Sequence, residues 1–278
     1  MNGPAILLPV KANDEYANLV RSGITLARVL KGKISFLYVV EVPEYTGYPA
    51  GNVAASNMSV LKKQKEEMYE HYLKVLEEFK PEISGDIPVE FISVEGTWGT
   101  GIIKATEEIK PYLLMLEHDE KKLIEKILGE TNTEIVHSVN CPVWIVPKEK
   151  PLSKPSGISF VTNHTEGDLE VLKELIELNK RIDAQMHLLH IIGDNEFESS
   201  LKVEGFKAII DKELGKITLN HLKLKEDNMK DEIGNVIEEH GIDLLVVHNE
   251  SEGFMNRFFT RSSIEKLTDS VDIPFVIY

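Results

Sequence analysis

The chain has 278 residues, with 46 acidic against 31 basic side chains, a formal net charge of -15, and 42% hydrophobic and 28% charged residues. This length suits two domains of ordinary size, and the acidic balance excludes a general nucleic-acid or anionic-membrane surface, both of which need clustered Lys and Arg. No apolar stretch approaches the roughly 18 to 20 residues that span a bilayer. A single cysteine, Cys141, permits no intramolecular disulfide, so a cytoplasmic location is expected.

In chain order, AILLPV at 5 to 10 reads as a first strand rather than a signal peptide, because no basic region precedes it and no small-residue cleavage site follows. Leu19, Val20, Gly23, Ile24, Ala27 and Leu30 then recur at helical spacing, and KISFLYVVE at 33 to 41 forms a second strand. PEYTGYPAGNVAASNMS at 43 to 59 is rich in Gly, Pro, Ser and Asn and reads as a loop. A helix carrying Met68, Tyr72, Val75, Leu76 and Phe79 follows, then a strand at 87 to 94 and a helix marked by Ile102, Ile103, Thr106 and Ile109. A fourth strand at 112 to 117, a helix ending in Ile135, Val136 and Val139, and a strand at 142 to 147 complete the order βαβαβαβαβ. Such alternation predicts a parallel sheet covered by helices on both faces.

The same order then repeats. GISFVT at 157 to 162 echoes the first strand, QMHLLHII at 185 to 192 the second, and IPFVIY at 273 to 278 echoes CPVWIV at 141 to 146. Strands are expected at 158 to 162, 185 to 191, 216 to 223, 243 to 248 and 274 to 278. The helical stripes between them are Leu169, Leu172, Leu175 and Ile176, then Phe206, Ile209 and Ile210, then Ile233, Val236, Ile237 and His240. PKEKPLSKPSG at 147 to 157 combines prolines and charges without periodicity, so the expected domains are 1–148 and 157–278 with a linker at 149–156.

Local motifs are few. EGTWGTG at 95 to 101 lies between a strand and a helix, so Gly96, Gly99 and Gly101 either form an anion-binding nest or serve a plain turn; the spacing is neither GxxxxGK[ST] nor GxGxxG. Thr131 with Glu134, and Ser262 with Glu265, fit the capping-box spacing. His187 and His190, three apart on one strand, face opposite ways and cannot chelate a metal together, and His118 and His248 have no second ligand at recognisable spacing, so no metal is expected. Cys141 has no catalytic partner motif and reads as a small buried residue before a strand. No Ser-His-Asp order or HExxH segment stands out, so no catalytic residues are assigned.

With AILLPV, LYVVEVP, LLHIIGD, DLLVVH and VNCPVWIVP in place along nearly its whole length, the chain resembles the universal stress protein family in its tandem form. The resemblance implies two five-stranded, Rossmann-like α/β domains forming an internal pseudo-dimer, with 143–147 beside 274–278. It also implies an ATP motif of Gly, two residues, Gly, nine residues, Gly, then Ser or Thr, whose glycines let main-chain N–H groups approach phosphates. The corresponding residues are Leu116, Asp119, Gly129 and Glu130 in the first copy, and His248, Ser251, Arg261 and Ser262 in the second. An Asp that meets the adenosine in the family is replaced by Lys11 and by Asn163. Neither copy holds a complete site, so no cofactor and no ordinary ATP binding are expected.

The resulting expectation is a non-enzymatic stress-response protein that acts through interaction with a protein partner; pairing of two chains is left open. One alternative is a nucleotide-binding switch in the second copy. Its site would be Asn163, His248, Ser251, Arg261, Ser262 and Ser263, where RFFTRSS at 257 to 263 gathers arginines and hydroxyls at a helix start. Another is a small apolar ligand beneath the 43–59 segment, near Tyr45, Tyr48 and Met58.

Overall fold

The computed structural model describes residues 3–11, 16–41, 50–83, 87–118, 129–162, 164–192, 195–215, 217–225, 229–248 and 273–278. The chain divides into two compact units, Met1–Leu116 with Glu130–Cys141, and Glu117–Gly129 with Pro142–Tyr278.

In the first unit β1 (Ala5–Pro9), β2 (Lys33–Val40), β3 (Val89–Glu95) and β4 (Leu113–His118) form a parallel sheet in the order β3-β2-β1-β4. Helices α1 (Ala17–Leu30), α2 (Ala50–Phe79) and α3 (Trp98–Ile109) connect them, and α4 (Gly129–Ser138) follows β4. Seven of the eight residues of β2 are buried, because helices cover both faces and alternation gives way to a continuous apolar run. Gly101 makes the packing of α3 possible: a Cβ there would lie 2.6 Å from Val39 Cγ1.

The second unit contains β5 (Val143–Pro147), β6 (Gly157–Thr162), β7 (Gln185–Ile192), β8 (Asn220–Lys225), β9 (Leu244–Val247) and β10 (Phe275–Ile277). Their order is β5-β10-β9-β6-β7-β8. All neighbours are parallel except β5 and β10, which run antiparallel with Val276 opposite Trp144. The expected meeting of 143–147 with 274–278 is therefore present, and it gives the apolar edge of β10 a partner. Helices α5 (Glu166–Ile182), α6 (Glu196–Leu214) and α7 (Met229–His240) join the strands. Before β6, Asp243 accepts from the N–H groups of Ser156 and Gly157 and from the Ser156 hydroxyl, which ties the end of the linker to the sheet.

Four expectations need correction. The stretch at 50 to 59 is not loop but the beginning of a 30-residue helix. Pro43 and Pro49, the strongest breakers, both precede Ala50, and the three alanines after Pro49 favour helix over the single Gly51. Strand β8 begins at Asn220 rather than 216, with the alternating exposure of an edge strand. Ile209 is 46% exposed and does not join Phe206 and Ile210 in the core. Thr131 lies inside α4 rather than at the position preceding it.

Candidate functional site

The carboxyl ends of β6 and β9 converge in the second unit, the place where open α/β sheets bind ligands. The side chain there that orders the rest is Asp168, three residues into α5 and 2% exposed. Thr165 caps the helix by accepting from the Asp168 N–H, and the Asp168 carboxylate accepts in return from the Thr165 N–H. The same carboxylate accepts from the Thr162 hydroxyl at 2.8 Å and pairs with His248 Nδ1 at 3.1 Å. A buried carboxylate on Nδ1 fixes the imidazole's orientation and makes Nε2 the nitrogen available for other chemistry.

Beside this pair runs a chain of three histidines. His164, just beyond β6, has φ +65, a left-handed conformation unusual for a residue with a side chain, and its N–H donates to Thr162 Oγ1. Its Nε2 lies 2.7 Å from Nδ1 of His190 on β7, whose Nε2 lies 2.8 Å from Nδ1 of His221 on β8. Successive rings are inclined by only 6°, with centroids 4.9 and 5.1 Å apart. Nitrogens at hydrogen-bond distance with centres that far apart place the rings edge to edge, as an N–H···N chain requires. His190 is fully buried, and desolvation, reinforced by the neighbouring His164 and His221, pushes its pKa down to about 3.

Of the residues in the sequence-derived site, His248 is the one within the described residues; Asn163, Ser251, Arg261, Ser262 and Ser263 lie outside them, as do Asp119, Tyr45 and Tyr48. His248 belongs to the rim as a carboxylate-held imidazole. Sequence reasoning missed Asp168, His164 and His221, and it assigned His190 only to a strand face. His187, on the opposite face from His190, packs near His240 and has no hydrogen-bond partner at either ring nitrogen among the described residues.

In the first unit, Leu116 is 4% exposed, part of the core, and it is not the counterpart of His248 as expected: Leu113 pairs with Ile6 as Leu244 pairs with Ile158, which puts Glu117 at that position. Lys11, beyond β1, places its ammonium 4.4 Å from the centre of the Trp98 ring. The EGTWGTG segment is a capped helix start rather than an anion nest. Thr97 and Thr100 exchange side-chain and backbone hydrogen bonds, and Gly99 and Gly101 are buried within α3. Met58 lines an open surface groove of about 720 Å³ with Leu61, Lys65, Tyr69 and Glu95. Cys141 is half-buried rather than buried as expected, and desolvation still pushes its thiol up to about 11. Among the described residues no helix is long and apolar enough to cross a membrane, and no group of three His, Cys, Asp or Glu side chains is placed to hold a metal ion.

A parallel α/β sheet built twice on one strand order defines a Rossmann-like tandem protein. The family model described as the universal stress protein family matches residues 4–147, and the chain belongs to that family. A universal stress protein of Methanocaldococcus jannaschii is 25% identical over 146 residues, covering 52% of this chain and 82% of that protein. The solved structure of a universal stress protein from Archaeoglobus fulgidus aligns over 99% of this chain and 95% of its own, with a TM-score of 0.67 and 17% identity. A second solved structure, a putative universal stress protein from Pseudomonas aeruginosa, covers 99% and 92%, with a TM-score of 0.62 and 12% identity.

Proposed function

We propose that this protein is a cytoplasmic stress-response regulator that acts by binding, without turnover, and that neither of its repeats, 1–148 and 157–278, binds ATP in the ordinary way. The observation that carries this reading is the state of the first motif position. Where the motif needs a bare glycine, the strand register puts Glu117 in the first copy, and the second has an imidazole whose side chain is 16% exposed and held by a buried carboxylate. A side chain at this position opposes the close approach of a phosphate to the main chain that the glycine motif permits. Asp168 adds negative charge near the same strand ends, and Lys11 takes the adenosine-contacting position in the first copy. Partner binding then replaces nucleotide binding as the working activity. Calorimetric titration with magnesium ATP to millimolar concentration tests this: the expected result is no saturable heat, and stoichiometric tight binding overturns it.

A second reading, binding of a small apolar molecule, draws support from the groove lined by Met58, Leu61 and Tyr69. Native mass spectrometry of freshly purified protein checks it, since a retained ligand adds a discrete mass and an empty groove adds none.

A further inference from the structure

A neutral imidazole has one donor nitrogen and one acceptor nitrogen. Three neutral rings in a line therefore carry one proton in each of the two links and one on an outer nitrogen, and the chain runs in one sense or the other. In the outward sense His164 Nε2 donates to His190 and His190 Nε2 donates to His221. The last N–H then sits on His221 Nε2. His221 is exposed on the edge strand β8, whereas His190 is buried at the centre of the chain.

We propose that His164, His190 and His221 form a proton relay between the carboxyl-end site and the solvent-facing strand β8. A proton that arrives at His164 Nδ1 shifts the first link proton from His164 Nε2 to His190 Nδ1, and the second from His190 Nε2 to His221 Nδ1. Two N–H bonds break and three form, the extra one with the incoming proton. His221 ends as the imidazolium, while His164 and His190 stay neutral with their protons on the opposite nitrogens. The outer nitrogen of His164 thus changes from acceptor to donor, although the charge resides two rings away.

The surroundings place the charge at the outer end. Burial opposes an imidazolium at His190, as do His164, His221, Lys207 of α6 and Lys223 of β8. At His221 partial desolvation and Lys207 oppose the charge, while Glu204 and Asp211 of α6 favour it. Phe206 of α6 sets its ring edge-on to His164 at 5.5 Å, an apolar wall that contributes no charge there. The relay is measurable without any ligand, so it and the proposed function fail separately.

The experiment uses the full chain labelled with ¹⁵N-histidine, and long-range ¹H–¹⁵N correlation spectra recorded from pH 8 to pH 5. His190 is expected to stay neutral while its proton changes from Nε2 to Nδ1. His164 is expected to change in the same direction, both with the midpoint at which His221 becomes charged. In His221→Phe that shared transition disappears from His164 and His190. Tautomers that do not change at the His221 midpoint, or that change unaltered in H221F, overturn the relay. Should H221F not fold, the coincidence or separation of the three wild-type midpoints decides the matter alone.

Discussion

Acidification from pH 7 to pH 5 is expected to destabilise the protein by about 2 kcal/mol through His190 alone. The folded pKa of His190 is depressed to about 3 by burial among other basic groups, whereas an unfolded histidine titrates near 6.5. A folded-state pKa below the unfolded value means that the unfolded chain takes up the proton first. The stabilisation is therefore complete above about pH 6.5 and is lost progressively as pH falls toward 3. At about 1.4 kcal/mol per pH unit, the 1.5 units between about 6.5 and 5 amount to about 2 kcal/mol. The figure hardly depends on the folded value, because any folded pKa below about 4 leaves His190 neutral at pH 5. Urea unfolding at the two pH values measures the loss. His71, His187 and His221, also depressed chiefly by desolvation, add loss of the same sign. The comparison with His190→Phe isolates the central ring, and that variant should lose about 2 kcal/mol less on acidification. An H190F protein with the wild-type pH dependence refutes the claim that the centre of the chain is held neutral.

Three further outcomes are expected. Asp168→Ala removes the acceptor for Thr162 and His248 and half of the α5 cap, and should cost about 2 to 4 kcal/mol in denaturant unfolding; a cost under about 0.5 kcal/mol contradicts the network. Gly101→Val drives a side chain into Val39 and Val94 and should cost about 1 to 3 kcal/mol or more by the same assay. Cys141, with its thiol pushed up to about 11, should alkylate far more slowly than free cysteine at pH 8, with the rate still rising at pH 10; rapid labelling at neutral pH would show a reactive thiolate instead.

The fold was legible wherever strands are buried on both faces, since runs such as KISFLYVV and GISFVT have no alternative in water. Boundaries were less so. KITL ahead of β8 is as strand-like in composition as NHLKLK, and only pairing with β7 selects the latter. The start of α2 was obscured by Gly51 and Asn52, which suggest a loop to a local reading but sit inside a helix long enough to absorb them. The site was the least legible part. His164 and His190 are 26 residues apart, His190 and His221 are 31 apart, and Asp168 and His248 are 80 apart. No spacing rule connects them, because parallel pairing through crossover helices brings them together. The glycine motif, by contrast, is contiguous in sequence, so its loss could be read at His248; in the first copy the sequence match is one residue out, because only strand pairing shows Glu117 rather than Leu116 to be the counterpart.

The central claim is that the scaffold is kept twice while the phosphate-binding glycines are lost in both copies. The most direct measurement is a two-dimensional ¹H–¹⁵N spectrum of the full chain titrated with magnesium ATP to millimolar concentration. Amides of Glu117, Thr162 and His248 should show no saturable shifts. Saturable shifts at these positions, complete at one or two equivalents of nucleotide, would contradict the account.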